Sequence, residues 1–346
     1  MRRLIDRMRW IYLSSILIAG AASATPTETV GQAIGAALQA DVKRALQMVR
    51  PVDPATLNEK QRTFVTCIRQ RFHSPTPPSA GKLRTFTDRV LAIYRTYWYA
   101  SLTHPETRAA QERKLDSALR ALLKAPKGTT DFDPLIDRRI IAEGNHSLEG
   151  RTGLLRELMV WTKQDEQTVP VTLPEGEYRA KVYYLNGFKS FGWSHYATCG
   201  AAATGGWATD TALFAVMPRY ESPDSEEFKV TFLGHETQHF ADKTRFRELK
   251  DWELEYRAKL VEVAEADTTR VKVLTRFVTD QGDDPASPHS YANRKILNEL
   301  VRRLGVSASS DLMTVDLSRL QAAARAALIE DSRQREAAGQ LKPAKQ

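Results

Sequence analysis

Residues 234–241 read Gly-His-Glu-Thr-Gln-His-Phe-Ala, and the pairing of His235 with His239 constrains the fold more than any other feature. On a helix that spacing stacks two imidazoles one turn apart on one face, where both reach a single metal ion. Glu236 then stands to the side of the pair, placed to take a proton from a water held by that ion. The flanking residues support a helix. Ser222-Pro223-Asp224-Ser225-Glu226-Glu227 supplies a capping side chain, a proline near the first turn and acids at the positive end. The predicted helix runs to about Phe246. Phe228, Phe232, His235 and His239 fall at i, i+4, i+7 and i+11, so the ligand face continues a stripe that packs inward. The plain alternative is two packed histidines on a half-buried helix.

A hydrolytic zinc site needs a third protein ligand and one open position. A third histidine at position 245 would mark a metzincin, but that residue is Arg245, and Asp242 stands where a glycine would be. The next predicted helix carries Asp251-Trp252-Glu253-Leu254-Glu255-Tyr256-Arg257-Ala258-Lys259. H-E-x-x-H followed by a helix bearing E-x-x-A resembles the gluzincin metallopeptidases, the broad thermolysin-like group. The resemblance covers roughly residues 210–265. It implies Glu255 as the third ligand and Ala258 as the small residue that lets the two helices approach.

Two features depart from that pattern. An aspartate often follows the small residue and holds a ligand histidine. Lys259 occupies that place here, which leaves Asp242 or Asp251 for the role. The gap from His239 to Glu255 also leaves room for only one brief turn between antiparallel helices. Glu253 and Glu262 compete with Glu255 as ligand. Glu262 lies on the same face two turns on, whereas Glu253 lies about 200° round the helix. The resemblance further implies a donor for an oxyanion from outside these helices. His289 and Tyr291, in the polar cluster Pro288 to Arg294, are the candidates, with His195 and Tyr196 as alternatives. The apolar strand candidate Ala212 to Met217 falls where the zincin fold places its substrate-pairing edge strand.

The amino terminus reads as a secretory leader. Residues 1–9 are basic, residues 10–21 are apolar, and Ala22-Ser23-Ala24 offers small residues for cleavage after Ala24. The apolar run is shorter than the roughly 20 residues of a spanning helix. The chain is therefore expected to be exported, periplasmic or extracellular, with no stable membrane anchor after cleavage. The net charge of +8 falls to +5 once the leader's four arginines and one aspartate are set aside. Lysines and arginines are scattered among acids with no basic stripe, which argues against a nucleic-acid partner. The two cysteines, Cys67 and Cys199, are either a disulfide or two small buried hydrophobes.

The remaining pattern predicts an α+β fold, mainly α. Helical spacing covers residues 31–49, 56–72, 86–103 and 107–124, interrupted at Pro51–Pro54, His73–Gly81 and Ala125–Asp133. Residues 169–174 and 177–185 alternate as strands. Long helices are predicted over about 251–279, after Pro288 and over about 316–331. The expected organisation is a leader (1–24), a helical amino-terminal region (25–165), a zincin-like metal-binding domain (166–331) and a frayed polar tail (332–346). In that domain two long helices carry the site beside a small antiparallel sheet. The expected activity is zinc-dependent hydrolysis of a peptide or protein substrate, with Zn²⁺ on His235, His239 and Glu255, and Glu236 as base. The alternatives are an exported binding protein with a structural or relic zinc site, and a metal-independent helical scaffold.

Overall fold

The computed structural model describes residues 25–343 apart from 75–80, 82 and 210. The leader-like segment, most of the His73–Gly81 loop and the last three residues of the tail lie outside the described residues. The fold is α+β and mainly α.

Six helices come first: α1 (Pro26–Leu38), α2 (Val42–Val49), α3 (Glu59–Arg71), α4 (Phe86–Thr103), α5 (Arg108–Leu123) and α6 (Asp133–Ile141). Side-chain caps set several of their starts, with Thr25, Asn58 and Thr85 each closing a reciprocal box with the residue three ahead. The single helix expected over 31–49 is two. Ala40 turns left-handed at φ 59° and Asp41 caps the second. Tyr94, Tyr97, Trp98 and Tyr99 of α4 are all buried, as core positions.

Strands begin well before residue 165. β1 (His146–Thr152) and β2 (Leu155–Trp161) form an antiparallel hairpin through Gly153, whose φ is 56°. β3 (Lys163–Leu173) and β4 (Gly176–Asn186) form a second hairpin, longer than the two segments its alternation predicts. β5 (Ser190–Phe191), α7 (Trp193–Ala197), β6 (Gly206–Ala208) and β7 (Leu213–Val216) follow. One sheet has the order β1-β2-β5 and the other β3-β4-β7-β6. The second is mixed, because β7 runs parallel to β4. β7 is therefore an interior strand, paired on both sides, and not the edge expected of Ala212–Met217. The edge on that side is β6, from the glycine-rich stretch before it, and the other edge is β3.

The helices of the carboxy-terminal half are α8 (Glu226–Phe228), a π-helical stretch (Lys229–Gly234), α9 (His235–Arg245), α10 (Asp251–Glu265), α11 (Arg270–Thr279), α12 (Pro288–Leu304) and α13 (Leu317–Ala337). The long helix expected over 251–279 is broken at Ala266–Thr269. There the Glu226 carboxylate accepts from the backbone nitrogens of Asp267, Thr268 and Thr269. The tail is not frayed at 332, since α13 continues to Ala337 and Ser332 is buried.

Four apolar clusters organise these elements, the smallest being Met159, Trp161, Leu185 and Val216 between the two sheets. One packs the first six helices onto β2 and α7. A second gathers α10, α11, α12 and α13. The third, with Tyr184, Leu213, Ala215, Phe228 and Phe232, fastens the mixed sheet to the helix that leads into His235. Cys67 of α3 and Cys199 are joined in a disulfide, which ties the helical region to the loop before β6. Among the described residues, no helix is long and apolar enough to cross a membrane.

Candidate metal centre

Ser225 starts the helix that carries the histidines by accepting from the Phe228 nitrogen. The π-helical stretch ends at Gly234, immediately before His235. Such irregular turns recur at functional sites because they rotate the following residues on the helix. Gly234 also faces α10. A Cβ there would lie 3.2 Å from the Lys229 carbonyl and 3.4 Å from Val261 Cγ1. Residues 246–250 make the turn between α9 and α10, the brief connection that the spacing required.

This packing brings His235, His239 and Glu255 together, with one potential ligand atom from each lying within 4.8 Å of the others. The two Nε2 atoms are 3.0 Å apart. Glu255 Oε1 is 3.3 Å from His239 Nε2, and Oε2 is 3.7 Å from His235 Nε2. Two imidazole nitrogens and a carboxylate facing one point form a donor set that can hold one metal ion. It is the mixture used by zinc sites that keep an open position. His239 Nδ1 is buried without a partner.

Glu262, considered above as a ligand, instead stands behind His235. Its Oε1 is 2.7 Å from His235 Nδ1, and its Oε2 pairs with Arg276. Donation from Nδ1–H to this carboxylate leaves the Nε2 lone pair directed at the site. Neither Asp242 nor Asp251 takes that role. Asp242 accepts from Gln238 and pairs with Arg257 at 2.9 Å, and Asp251 is exposed at the start of α10. Glu253 faces away, bonded to Arg335 and to the Lys250 nitrogen.

Burial opposes the charge of Glu255, but hydrogen bonds from His239 and His289 outweigh it and hold the carboxyl well below its usual range. Burial likewise opposes protonation of His235. Glu262 overcomes that effect, by hydrogen bond and by charge, and raises the histidine above its ordinary value.

The group sits in a cleft of about 640 Å³. Glu236 lines it, as do Gly205 and Gly206 of the edge-strand region. His289, in the first turn of α12, reaches in and places Nδ1 2.7 Å from Glu255 Oε2. Tyr291 does not line the cleft. Its ring packs edge-on against Trp252 at 5.2 Å. His195 and Tyr196 lie elsewhere too, against Phe191 and Phe72 respectively.

Sequence reasoning missed Tyr220, which lines the cleft from the turn after β7. Its hydroxyl fills the space that a side chain at Gly205 would need, 2.3 Å from the Cβ position. Burial, helped by the Glu236 charge, pushes its pKa up and keeps it a hydrogen-bond donor. The only signal for it is the paired absence of a side chain at Gly205, which is visible only once β6 is folded beside the turn.

No family model matches the chain, and no curated protein or solved structure is detectably similar to it.

Proposed function

We propose that the chain is an exported zinc-dependent metallohydrolase, a peptidase of gluzincin type. The observation that carries the reading is the convergence of His235, His239 and Glu255 in an open cleft, with Glu262 behind His235 and Glu236 alongside. His235, His239 and Glu255 would hold Zn²⁺, which when bound would supply Lewis acidity and lower the pKa of water toward ~7. Glu236 takes the proton of the attacking water on a carboxylate oxygen and returns it to the leaving amine nitrogen. Tyr220 Oη donates to the oxygen on which negative charge develops, while His289 Nδ1–H donates to Glu255 and steadies that carboxylate. The free edge of β6 offers backbone groups to an extended peptide lying along the cleft. The leader pattern and the Cys67–Cys199 disulfide both suit an oxidising compartment outside the cytoplasm.

A non-catalytic zinc protein would close the site with a fourth protein ligand. Among the described residues the ligand group has three members. Glu236→Gln tests the reading, because it keeps shape and removes the base. Hydrolysis of casein or labelled peptides should fall by about 10²–10⁴-fold with zinc content unchanged. Wild-type turnover in this variant would refute the role given to Glu236.

A further inference from the structure

The floor of the cleft holds a cation that this hydrolysis does not use. Lys259 is 5% exposed and Asn293 1%, yet both line the cleft beside Glu255 and His289. Lys259 Nζ donates to Asn293 Oδ1 at 2.8 Å, and Asn293 is itself anchored by donating to the Asp280 carbonyl at 2.7 Å. The Phe277 ring centroid lies 5.2 Å from the ammonium. Glu255 Oε2, at 3.9 Å, is beyond hydrogen-bond distance.

An ammonium has three hydrogens to place. Among the described residues, one acceptor lies within reach. The surrounding carboxylates are committed elsewhere: Glu262 to His235 and Arg276, Glu255 to His239 and His289, and Asp280 to Ser290. Glu255, Glu262 and Asp280 offset its charge from nearby, but the hydrogens left without an acceptor are costly to bury until one arrives. Its position, one helical turn beyond Glu255, puts that acceptor beside the candidate metal ligands.

We propose that Lys259, seated by Asn293, receives a free carboxylate of the substrate, so that the cleft selects peptides ending close to the bond that is cut. The word substrate rests on the hydrolase reading, but the binding preference does not require turnover. The ligand is recognised as an anion by a charge-assisted hydrogen bond that a carboxamide cannot reproduce.

The test is titration calorimetry on the full chain carrying Glu236→Gln, so that the probes survive. The probes are trialanine with a free carboxylate and the same peptide as its carboxy-terminal amide. Each is measured on zinc-loaded and on chelator-treated protein. The free acid should bind about tenfold tighter than the amide. Lys259→Met should bring that ratio close to one with zinc content unchanged, and Lys259→Arg should retain most of it. An equal affinity for acid and amide in the parent overturns the proposal without any variant. So does a preference that survives Lys259→Met, which would trace it to the metal. Should Lys259→Met not fold, Lys259→Gln repeats the test. A parent that holds no zinc defeats the hydrolase reading alone, because the ratio on chelator-treated protein still decides the role of Lys259.

Discussion

Glu262 and Glu255 sit two turns apart on one face of α10, and their surroundings give them different work. Glu255 has both oxygens near the histidine Nε2 atoms, whereas Glu262 is 1% exposed and is spent on His235 Nδ1 and Arg276. The sequence placed both on that face, and the resemblance alone favoured Glu255, because which one reaches the nitrogens depends on how α10 slides against α9. Val261 packs against Gly234 at this contact, where a Cβ would lie 3.4 Å from Val261 Cγ1. Replacing the partner of a ligand histidine loosens the ligand without removing it. Glu262→Gln should therefore weaken zinc affinity by about 10–100-fold, measured by competition with a chromophoric chelator. An unchanged affinity would show that the His235–Glu262 contact does not orient the ligand. Lys259 is a third case. The sequence marked it as a departure from the gluzincin pattern, and only the fold shows that it points into the floor of the cleft with Asn293.

At the scale of elements, helices were legible where periodicity ran unbroken, as for α3 and α4, or where a cap and early acids marked the start, as for the segment from Ser225 into α9. The β1–β2 hairpin was not. Leu155-Arg156-Glu157-Leu158-Met159 is made of good helix formers, and its strand conformation comes from pairing with β1 and β5 and from cover by α4. Local pattern also misassigned the edge strand. The apolar run Leu213–Val216 is apolar because it is interior, while the true edge, Gly206–Ala208, is short and weakly patterned. Gly206 makes that edge possible. Its φ is 157°, and a Cβ would lie 2.2 Å from Phe232 Cε2 and 2.3 Å from the Phe214 carbonyl. Gly206→Ala should cost about 1–3 kcal/mol in denaturant unfolding and lower turnover by displacing the cleft rim. Unchanged stability would mean that β6 is not held against β7 as described.

For the whole molecule, the amino-terminal helices contribute, among the described residues, nothing to the His235–His239–Glu255 group, yet they are joined to its cleft through the loop that the disulfide holds. Cys67 and Cys199 are 132 residues apart, and closing a loop of that size stabilises the fold by about 5 kcal/mol in the chain-entropy model. The sequence supplied the two cysteines but not their proximity, since that depends on α3 packing beside α7. Paired Cys67→Ser and Cys199→Ser substitution should lower stability by about 2–5 kcal/mol by denaturant melt. A melt matching the parent would assign the bond no structural role. Arg257 knits the other half together. It is fully buried, and it pairs with Asp242 of α9, Glu175 of the β3–β4 turn and Asp331 of α13.

The central claim is that two helices present one metal-binding triad, and zinc content per chain tests it most directly. Purified protein should carry close to one zinc, and both His239→Ala and Glu255→Gln should lose it while remaining folded. Zinc retained by Glu255→Gln but lost by His239→Ala would move the third ligand away from Glu255. A parent chain that takes up no zinc even when it is supplied would contradict the account.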